Sequence, residues 1–261
     1  MKRRIRLKQI LELLELDPEL SLAEACGRLS ISSATIRRAF AALEATGQVV
    51  RTWGGIQLAG TGAWRMGPPA FARRLELELE AKRAIARAAA AHLKEGDVVM
   101  IDGGTTTFQL ADFIALKQIR VLTNSLVIAQ AIDRLKAGRP GAEVHLAGGL
   151  LEPDSGLVVG PRAEAFLGRY RARWALLGAA GVDVTSVSNY NEAVLASEKR
   201  MIGRSDQLMI LADSTKLGRQ ALCELCPLEE VDHLLTTESA RTSRLICLIR
   251  RRGVTVTCAS E

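Results

Sequence analysis

Residues 21–58, SLAEACGRLSISSATIRRAFAALEATGQVVRTWGGIQL, contain two helix-forming stretches joined by a three-residue turn and followed by a glycine-containing hairpin. Ser21 and Glu24 have the spacing of a capping box, in which each side chain accepts a hydrogen bond from the other residue's backbone N–H. Apolar residues then recur with helical spacing in both stretches, at Leu22, Ala25, Cys26 and Leu29, and at Ile36, Ala39, Phe40 and Leu43. The short turn between them, Ser30–Ser32, predicts a helix-turn-helix.

A further helix and a hairpin flank this pair. Leu7, Ile10, Leu11 and Leu14 form one apolar helix face, which Asp17-Pro18 ends. The segment 49–58 predicts two short strands around a glycine turn, in the position of a wing. Residues 1–58 are therefore predicted to form a winged helix-turn-helix DNA-binding domain.

The charge of this segment favours DNA as its partner. Residues 1–55 hold nine Lys or Arg and six Asp or Glu, a balance of +3 out of +6 for the whole chain. The first turn of the second helix of the pair is small, hydroxylated and basic, as entry into a major groove requires. The candidate DNA-contacting residues are Ser32, Ser33, Thr35, Arg37, Arg38, Arg51 and Trp53. An ordinary three-helix bundle with a solvated basic surface is the alternative, and the order of cap, turn and wing favours DNA binding.

Beyond residue 58 the pattern changes. Residues 59–74, with Gly60-Thr61-Gly62 and Gly67-Pro68-Pro69, lack periodicity and are predicted to be a linker. A long helix is predicted over about 71–94, overlapping the end of that linker. Apolar strands then alternate with helices through residues 75–261, which predicts an α/β domain with a mainly parallel sheet. The predicted strands are 98–101, 120–123, 144–147, 174–178, 208–212, 234–235 and 254–256.

Polar residues follow several of these strands, at the edge where parallel sheets bind ligands. They are Asp102–Thr107 (DGGTTT), Thr123–Ser125 (TNS), Gly148–Gly149 and Asp213–Lys216 (DSTK), with Glu192 and Lys199 on the helix before the last of these. Glycine backbone, hydroxyl groups and helix starts suit an anion, and Lys216 can neutralise a phosphate. Each motif alone also fits a plain helix start or a surface turn. Together they predict a phosphate-tolerant site for a small hydroxylated molecule.

Composition excludes several classes of protein. With 48% hydrophobic and 25% charged residues, the chain is globular rather than disordered or fibrous. No uncharged apolar run approaches the ~18 residues of a membrane span, and no secretory signal is recognisable. Five scattered cysteines indicate free thiols in a reducing cytoplasm. We expect no cofactor and no metal.

In the order of its motifs, the chain resembles the DeoR family of bacterial transcription regulators over nearly its whole length. Ser33–Arg38 resembles the family's recognition helix, residues 51–55 resemble its wing, and the strand-end motifs match in order and spacing. The resemblance implies a sensor domain similar to ribose-5-phosphate isomerase. It also implies a homo-oligomeric regulator, a repressor by expectation, that binds operator DNA and is controlled by a phosphorylated sugar. The effector-binding residues it implies are Asp102, Gly104, Thr105, Thr106, Thr123, Asn124, Glu192 and Lys216.

Two other readings of the sequence remain open. Asp102, Glu192 and Lys216 are residue types that a sugar-phosphate isomerase uses as acid, base and phosphate ligand, although an enzyme leaves residues 1–58 unexplained. Cys223-Glu224-Leu225-Cys226, near His233, is a possible redox or zinc motif, although a second ligand pair is missing. We expect a regulator and not an enzyme.

Overall fold

The computed structural model describes residues 2–16, 19–52, 55–58, 71–152, 155–239 and 242–260. The chain divides into two compact units, residues 1–65 and 66–261. Trp53 and residues 59–70, most of the predicted linker, lie outside the described residues. The predicted domain boundaries at 58 and 75 remain predictions, and the structure begins a helix at Phe71, inside the predicted linker.

The first unit is a three-helix bundle with a small antiparallel sheet. Its elements are α1 (Lys2–Leu16), β1 (Glu19–Ser21), α2 (Leu22–Leu29), α3 (Ser33–Ala45), β2 (Val49–Thr52) and β3 (Gly55–Leu58). The sheet has the order β1-β3-β2, and Thr52 pairs with Gly55, as the predicted wing requires. The three-residue strand β1 was not predicted, because it is too short to show a period.

The local signals of the sequence are present in this unit. Glu24 N–H donates to the Ser21 hydroxyl (3.2 Å), and Ser21 N–H donates to the Glu24 carboxylate (3.1 Å), which forms the predicted capping box. Ile36, Phe40 and Leu43 are buried on one face of α3. Together with other apolar residues between positions 7 and 56, they form the core of this unit. The winged helix-turn-helix prediction is confirmed.

The second unit contains the rest of the described elements. Its helices are α4 (Phe71–Glu76), α5 (Leu79–His92), α6 (Thr105–Phe108), α7 (Ala111–Ile114), α8 (Leu126–Lys136), α9 (Pro161–Gly168), α10 (Glu192–Ile202) and α11 (Ser243–Arg251). Its strands are β4 (Val98–Ile101), β5 (Arg120–Thr123), β6 (Glu143–Leu146), β7 (Leu150–Leu151), β8 (Val158–Val159), β9 (Ala172–Gly178), β10 (Gly181–Val182), β11 (Ser186–Asn189), β12 (Ser205–Leu211), β13 (Cys223–Pro227), β14 (His233–Thr236) and β15 (Thr255–Cys258).

Seven of these strands form one sheet in the order β15-β14-β12-β9-β4-β5-β6. All of its neighbouring pairs are parallel, which confirms the predicted α/β class. Side chains alternate between two cores: Val99 and Ile101 of β4 face α5 and α8, and Met100 faces the side of α10 and α11. Both faces of the sheet are thus covered, as its continuous apolar strands require.

The helix predicted over 71–94 is instead two helices, α4 and α5. The chain breaks at Leu77–Glu78, where Glu78 adopts a left-handed conformation with φ of 53°. The Lys82 ammonium donates to the carbonyls of Arg74 and Leu77, so a side chain satisfies backbone groups that a continuous helix would have paired. Among the residues described, no helix is long and apolar enough to span a bilayer.

Candidate functional site

The predicted DNA-contacting residues of α3 lie on its exposed side. Ser32, Ser33, Arg37 and Arg38 are exposed, and Thr35 is half-buried. The hydroxyls of Ser32 and Thr35 lie 3.0 Å apart, and Arg38 Nε donates to the carbonyl of Ala34 at 3.2 Å. The face is cationic and reachable from solvent, as a helix that enters a major groove must be. Their contacts with DNA remain predictions.

Arg51 is exposed on the first strand of the wing. Its Nε donates to the carboxylate of Glu44, near the end of α3, at 3.0 Å. Because both partners are exposed, this pair contributes little stability. Trp53, predicted to contact the DNA backbone, lies outside the described residues.

In the second unit, the polar loops predicted after several strands lie at the carboxyl ends of four neighbouring strands. Asp102 follows β4, Asn124 follows β5, Gly178 ends β9 and Asp213 lies two residues beyond β12. These strands are adjacent in the order β12-β9-β4-β5 and run in the same direction, so their ends share one edge of the sheet.

Asp102 is buried at the centre of this edge. Its carboxylate accepts the N–H of Gly178 at 2.9 Å and the N–H of Gly104 at 3.2 Å. Its other neighbour is Glu198 of α10, which is 1% exposed and also accepts two hydrogen bonds from the Asn189 amide. Burial raises the pKa of Asp102, although these hydrogen bonds oppose the shift. Burial and then the Asp102 charge raise the pKa of Glu198 well above its usual value, and a hydrogen bond to Asp102 adds to the shift.

The loop after β4 is shaped by close packing. A Cβ on Gly103 would lie 2.0 Å from the Leu157 side chain, so a larger residue there would have to displace that side chain. The Thr107 hydroxyl donates to the carbonyls of Asp102 and Gly104 (3.1 and 2.9 Å). Thr105 and Thr106 are buried and begin α6. Because α6 has only four residues, its dipole is small, and the predicted contribution of this helix N-terminus to anion binding remains a prediction.

The loop after β5 contains one side chain with an unused acceptor. The Thr123 hydroxyl donates to the Ile101 carbonyl (2.7 Å) and accepts the Ser125 N–H (3.0 Å), so it holds the loop itself. The Asn124 amide donates to the Val158 carbonyl at 3.3 Å. Its Oδ1 is buried and has no hydrogen-bond partner among the described residues. A bound hydroxyl group would satisfy it.

The loop after β12 has the same character. Asp213 is 1% exposed, and its Oδ1 accepts the Thr215 N–H at 2.9 Å. Its Oδ2 is buried without a partner in the described part of the chain. Lys216, in the 3-10 turn Ser214–Lys216, is half-buried. A buried carboxylate and a half-buried lysine thus lie in one loop.

The other strand-end predictions have different outcomes. Glu192 is exposed at the start of α10, and its predicted role in effector binding remains a prediction. Gly149 packs against the hairpin of β7 and β8, where a Cβ would lie 2.7 Å from the Val159 carbonyl. The lack of a side chain at Gly149 therefore allows the two backbone segments to pack closely.

Three charged residues at this edge were missed by sequence reasoning: Arg74, Lys82 and Glu198. Lys82 lies on the buried face of α5, together with Ile85 and Ala89. Glu198 lies on the buried face of α10, together with Met201. A charged residue on an otherwise apolar helix face was the available signal.

The cysteine motif does not form a site. Cys223 and Cys226 lie on β13, and burial is the main cause that raises the pKa of the Cys226 thiol to about 12. Among the residues described, no group of three or more His, Cys, Asp or Glu side chains is placed to hold a metal ion.

Two family profiles match the chain. Residues 77–238 match the DeoR C terminal sensor domain, and residues 6–61 match the DeoR-like helix-turn-helix domain. The chain belongs to the DeoR family of transcriptional regulators. The predicted family is confirmed.

DeoR-family relatives align over most of the chain. The HTH-type transcriptional repressor GlcR of Bacillus subtilis is 29% identical, with 95% of this chain and 93% of that protein covered. The HTH-type transcriptional regulator GlpR of Haloferax volcanii is 32% identical over 88% of each. The putative aga operon transcriptional repressor of Escherichia coli O157:H7 is 28% identical over 98% of this chain and 94% of that protein.

Two of the solved structures similar to this DeoR-family chain align with 54% and 60% of it. Ribose 5-phosphate isomerase A from Methanocaldococcus jannaschii aligns with a TM-score of 0.40 and 15% identity, over 54% of this chain and 55% of that one. The eIF2B beta subunit from Chaetomium thermophilum aligns with a TM-score of 0.43 and 16% identity, over 60% and 48%. These likenesses carry no argument about activity.

Proposed function

We propose that this protein is a cytoplasmic, homo-oligomeric repressor of a sugar-metabolism operon, and that a phosphorylated sugar controls its binding to operator DNA. One observation carries the proposal: a cationic helix-turn-helix surface shares a chain with an α/β unit whose strand ends hold buried polar atoms without partners. The first feature suits a phosphate backbone and the second suits a small polar ligand.

The DNA half of the proposal rests on Arg37 and Arg38. Both are exposed on α3, where guanidinium groups can reach phosphates or guanine edges. Ser32, Ser33 and Thr35 supply hydroxyls at the start of the same helix, and Arg51 supplies a cation on the wing. The repressor assignment is supported by relatives that bear that name.

The effector half rests on Asp102, Asn124, Asp213 and Lys216, with Gly104, Thr105 and Thr106 in the first loop. A sugar offers hydroxyl donors to the unpartnered oxygens of Asn124 and Asp213. The effector shifts an equilibrium between DNA-binding and DNA-free states only by its difference in affinity for them.

The DNA half is tested with the duplex upstream of the protein's own gene, by fluorescence anisotropy at several salt concentrations. Arg37→Ala and Arg38→Ala should each weaken binding by about tenfold, and a residue that contacts only phosphate should lower the salt slope by about one. Failure of the wild-type protein to bind any duplex at low ionic strength would remove the function.

The effector half is tested by a thermal-shift screen of sugar phosphates, followed by their effect on the DNA complex. Incubation of the protein with pentose and hexosamine phosphates is the companion assay. Turnover of any of them would replace the regulator proposal for this unit with an isomerase-like activity.

A further inference from the structure

The segment that leads into the sensor sheet is bent where its sequence favours a straight helix. Residues 71–92 contain neither Gly nor Pro and consist largely of Leu, Glu, Ala, Lys and Arg, which are strong helix formers. The structure nevertheless divides this segment into α4 and α5, with the break at Leu77–Glu78. Local propensity and tertiary structure therefore favour two different conformations of the same segment.

The bent form is strained at Glu78. This residue has φ of 53° and ψ of 39°, in the left-handed region that residues other than glycine rarely occupy, and its side chain makes no capping hydrogen bond. The first N–H groups of α5, those of Leu79, Glu80 and Ala81, have no carbonyl within α5 to bond. A continuous helix would pair them with the carbonyls of residues 75–77 and would remove the strain.

Lys82 stabilises the bent form. Its side chain is 3% exposed, and its ammonium donates to the carbonyls of Arg74 and Leu77, at the end of α4. In a continuous helix these two carbonyls would accept the N–H groups of residues 78 and 81. The ammonium and the straight helix thus compete for the same acceptors, and the loss of the ammonium favours the straight form.

The position of α4 depends on few contacts. It has six residues, fewer than the ~12–15 that an isolated helix needs to be stable in water. Phe71 is the only buried residue among its described side chains, and it packs edge-on against Phe108 with ring centres 5.9 Å apart. By contrast, α5 buries Ile85 and Ala89 in a core that includes β4 and β5. Therefore α4 can move while α5 stays in place.

The bent form places α4 beside the proposed effector loop. Phe108 is the last residue of α6, which begins at Thr105 in the loop after β4. Burial lowers the pKa of the Arg74 guanidinium, and the nearby charge of Asp102 in that loop opposes the shift. In the sequence, α4 begins at Phe71, on the side of the chain that leads to the helix-turn-helix unit. One short helix thus touches the effector loop and precedes nothing but the connecting segment.

We propose that residues 71–92 are a two-state helix switch. In the bent form α4 packs on α6, in the straight form α4 continues α5, and the balance between the two forms sets the affinity for operator DNA. This inference rests on the proposed function for its output, and it concerns the route of regulation and not the chemistry of the ligand. A ligand at the strand ends shifts the balance because it fixes the loop on which the bent form packs.

Hydrogen exchange of the full-length protein, measured by mass spectrometry at the amides of Leu79, Glu80 and Ala81, is the first test. Lys82→Met removes the ammonium and keeps a good helix former. Exchange at the three amides should become slower by about tenfold, because the straight helix pairs them. If Lys82 only held the fold together, its loss would loosen the segment and exchange would become faster. The sign of the change therefore decides between the two roles.

Glu78 allows the change to be reversed. Glycine adopts the left-handed region without strain and is unfavourable inside a helix, so Lys82→Met combined with Glu78→Gly should return to the bent form and to fast exchange. Lys82→Met combined with Glu78→Ala loses the same carboxylate, but alanine favours the helix, so exchange should stay slow. The two double variants differ mainly in backbone preference.

Lys117→Met is the matched control for the lysine. Lys117 also donates to a backbone carbonyl, that of Leu93 at 3.0 Å, and it lies in the connection before β5. The variant removes the same charge and the same kind of hydrogen bond away from the bend. Exchange at residues 79–81 should stay within about twofold of the wild-type rate.

Operator binding tests the output of the switch. With the duplex upstream of the protein's own gene, fluorescence anisotropy should show a change of about fivefold or more in Kd for Lys82→Met. The double variant with Glu78→Gly should return to within about twofold of the wild-type Kd, and the one with Glu78→Ala should keep the changed value. Because coupling is reciprocal, saturating duplex should also alter exchange at residues 79–81 of the wild-type protein.

The outcomes separate this inference from the proposed function. Faster or unchanged exchange in Lys82→Met, or no reversal by Glu78→Gly, would show that the segment has one conformation and would overturn the switch. The expected exchange pattern with one operator Kd in all variants would overturn its control of DNA binding. If the wild-type protein binds no duplex, the proposed function fails and the output fails with it, whereas the exchange pattern still decides whether the two forms exist.

Discussion

Arg37 and Arg38 of the helix-turn-helix unit lie in solvent, whereas Lys82 and Glu198 of the sensor unit are almost fully buried. The exposed arginines keep their charge at little cost, because water surrounds them. In the sensor unit, burial lowers the pKa of Lys82 and raises the pKa of Glu198, so burial favours the neutral form of each side chain. The two units thus place their charged groups in opposite environments.

The difference reflects the ligands that each surface suits. A DNA duplex is a long polyanion that attracts cations through solvent, so exposed arginines suffice. A small molecule must be recognised by a few groups fixed in position before it arrives, and burial fixes them at a cost in stability. Mutations of exposed charges in the first unit should therefore change DNA affinity, and mutations of buried charges in the second should change pH dependence or ligand binding.

The largest expected effect tests whether the two units are energetically separate. Phe40 is 1% exposed in the core of the first unit, and no residue of that core belongs to the sensor cores. Phe40→Ala should destabilise this unit by about 3–5 kcal/mol, through lost burial and a cavity. Differential scanning calorimetry should show one transition moving down and the sensor transition unchanged. A shift of both would contradict the comparison.

A smaller effect is expected from the buried carboxyl pair. Burial raises the folded-state pKa of Glu198, so its contribution to stability is fully present below the unfolded value of about 4.3 and is lost as pH rises through the folded pKa. Stability of the wild-type sensor should fall as pH rises through the folded pKa. Glu198→Gln keeps an N–H donor toward Asp102 and cannot ionise, so its stability should be flatter with pH.

Urea unfolding between pH 5 and pH 9 measures this difference. Glu192→Gln, on the same helix but exposed, is the matched control and should follow the wild-type curve. Parallel curves for wild type and Glu198→Gln would show that Glu198 is ionised in the fold.

The smallest expected effect concerns the wing. Glu44 accepts a hydrogen bond from Arg51, and its charge repels DNA. Glu44→Gln should strengthen operator binding by about two- to fivefold, within the ~0.2–1 kcal/mol of an exposed pair. Anisotropy titration at low salt measures it. Glu143→Gln, which alters an equally exposed pair with Arg120 in the sensor unit, should leave DNA affinity unchanged.

The sequence predicted local features well, and the structure explains why it missed others. The capping box, the apolar face of α3 and the wing depend on spacings of a few residues, which can be read from the sequence. The strand-end motifs could be placed together because the carboxyl ends of parallel strands always lie at the same edge of a sheet. The Asp102–Glu198 pair joins residues from distant elements and has no local pattern. The break at Leu77–Glu78 lies in a stretch of good helix formers, where the tertiary hydrogen bonds of Lys82 outweigh helix propensity.

The link from Lys82 to the carbonyls of α4 also determines where the chain can be cut and rejoined. A chimera that carries a different DNA-binding unit should be joined before Phe71, so that the Phe71–Phe108 packing and the Lys82 hydrogen bonds are kept together. A junction at residues 77–78 would change the register between Arg74 and Lys82. The transplanted unit would then be fused to a sensor in which the buried Lys82 ammonium has lost its carbonyl partners, whatever the length of the connecting peptide.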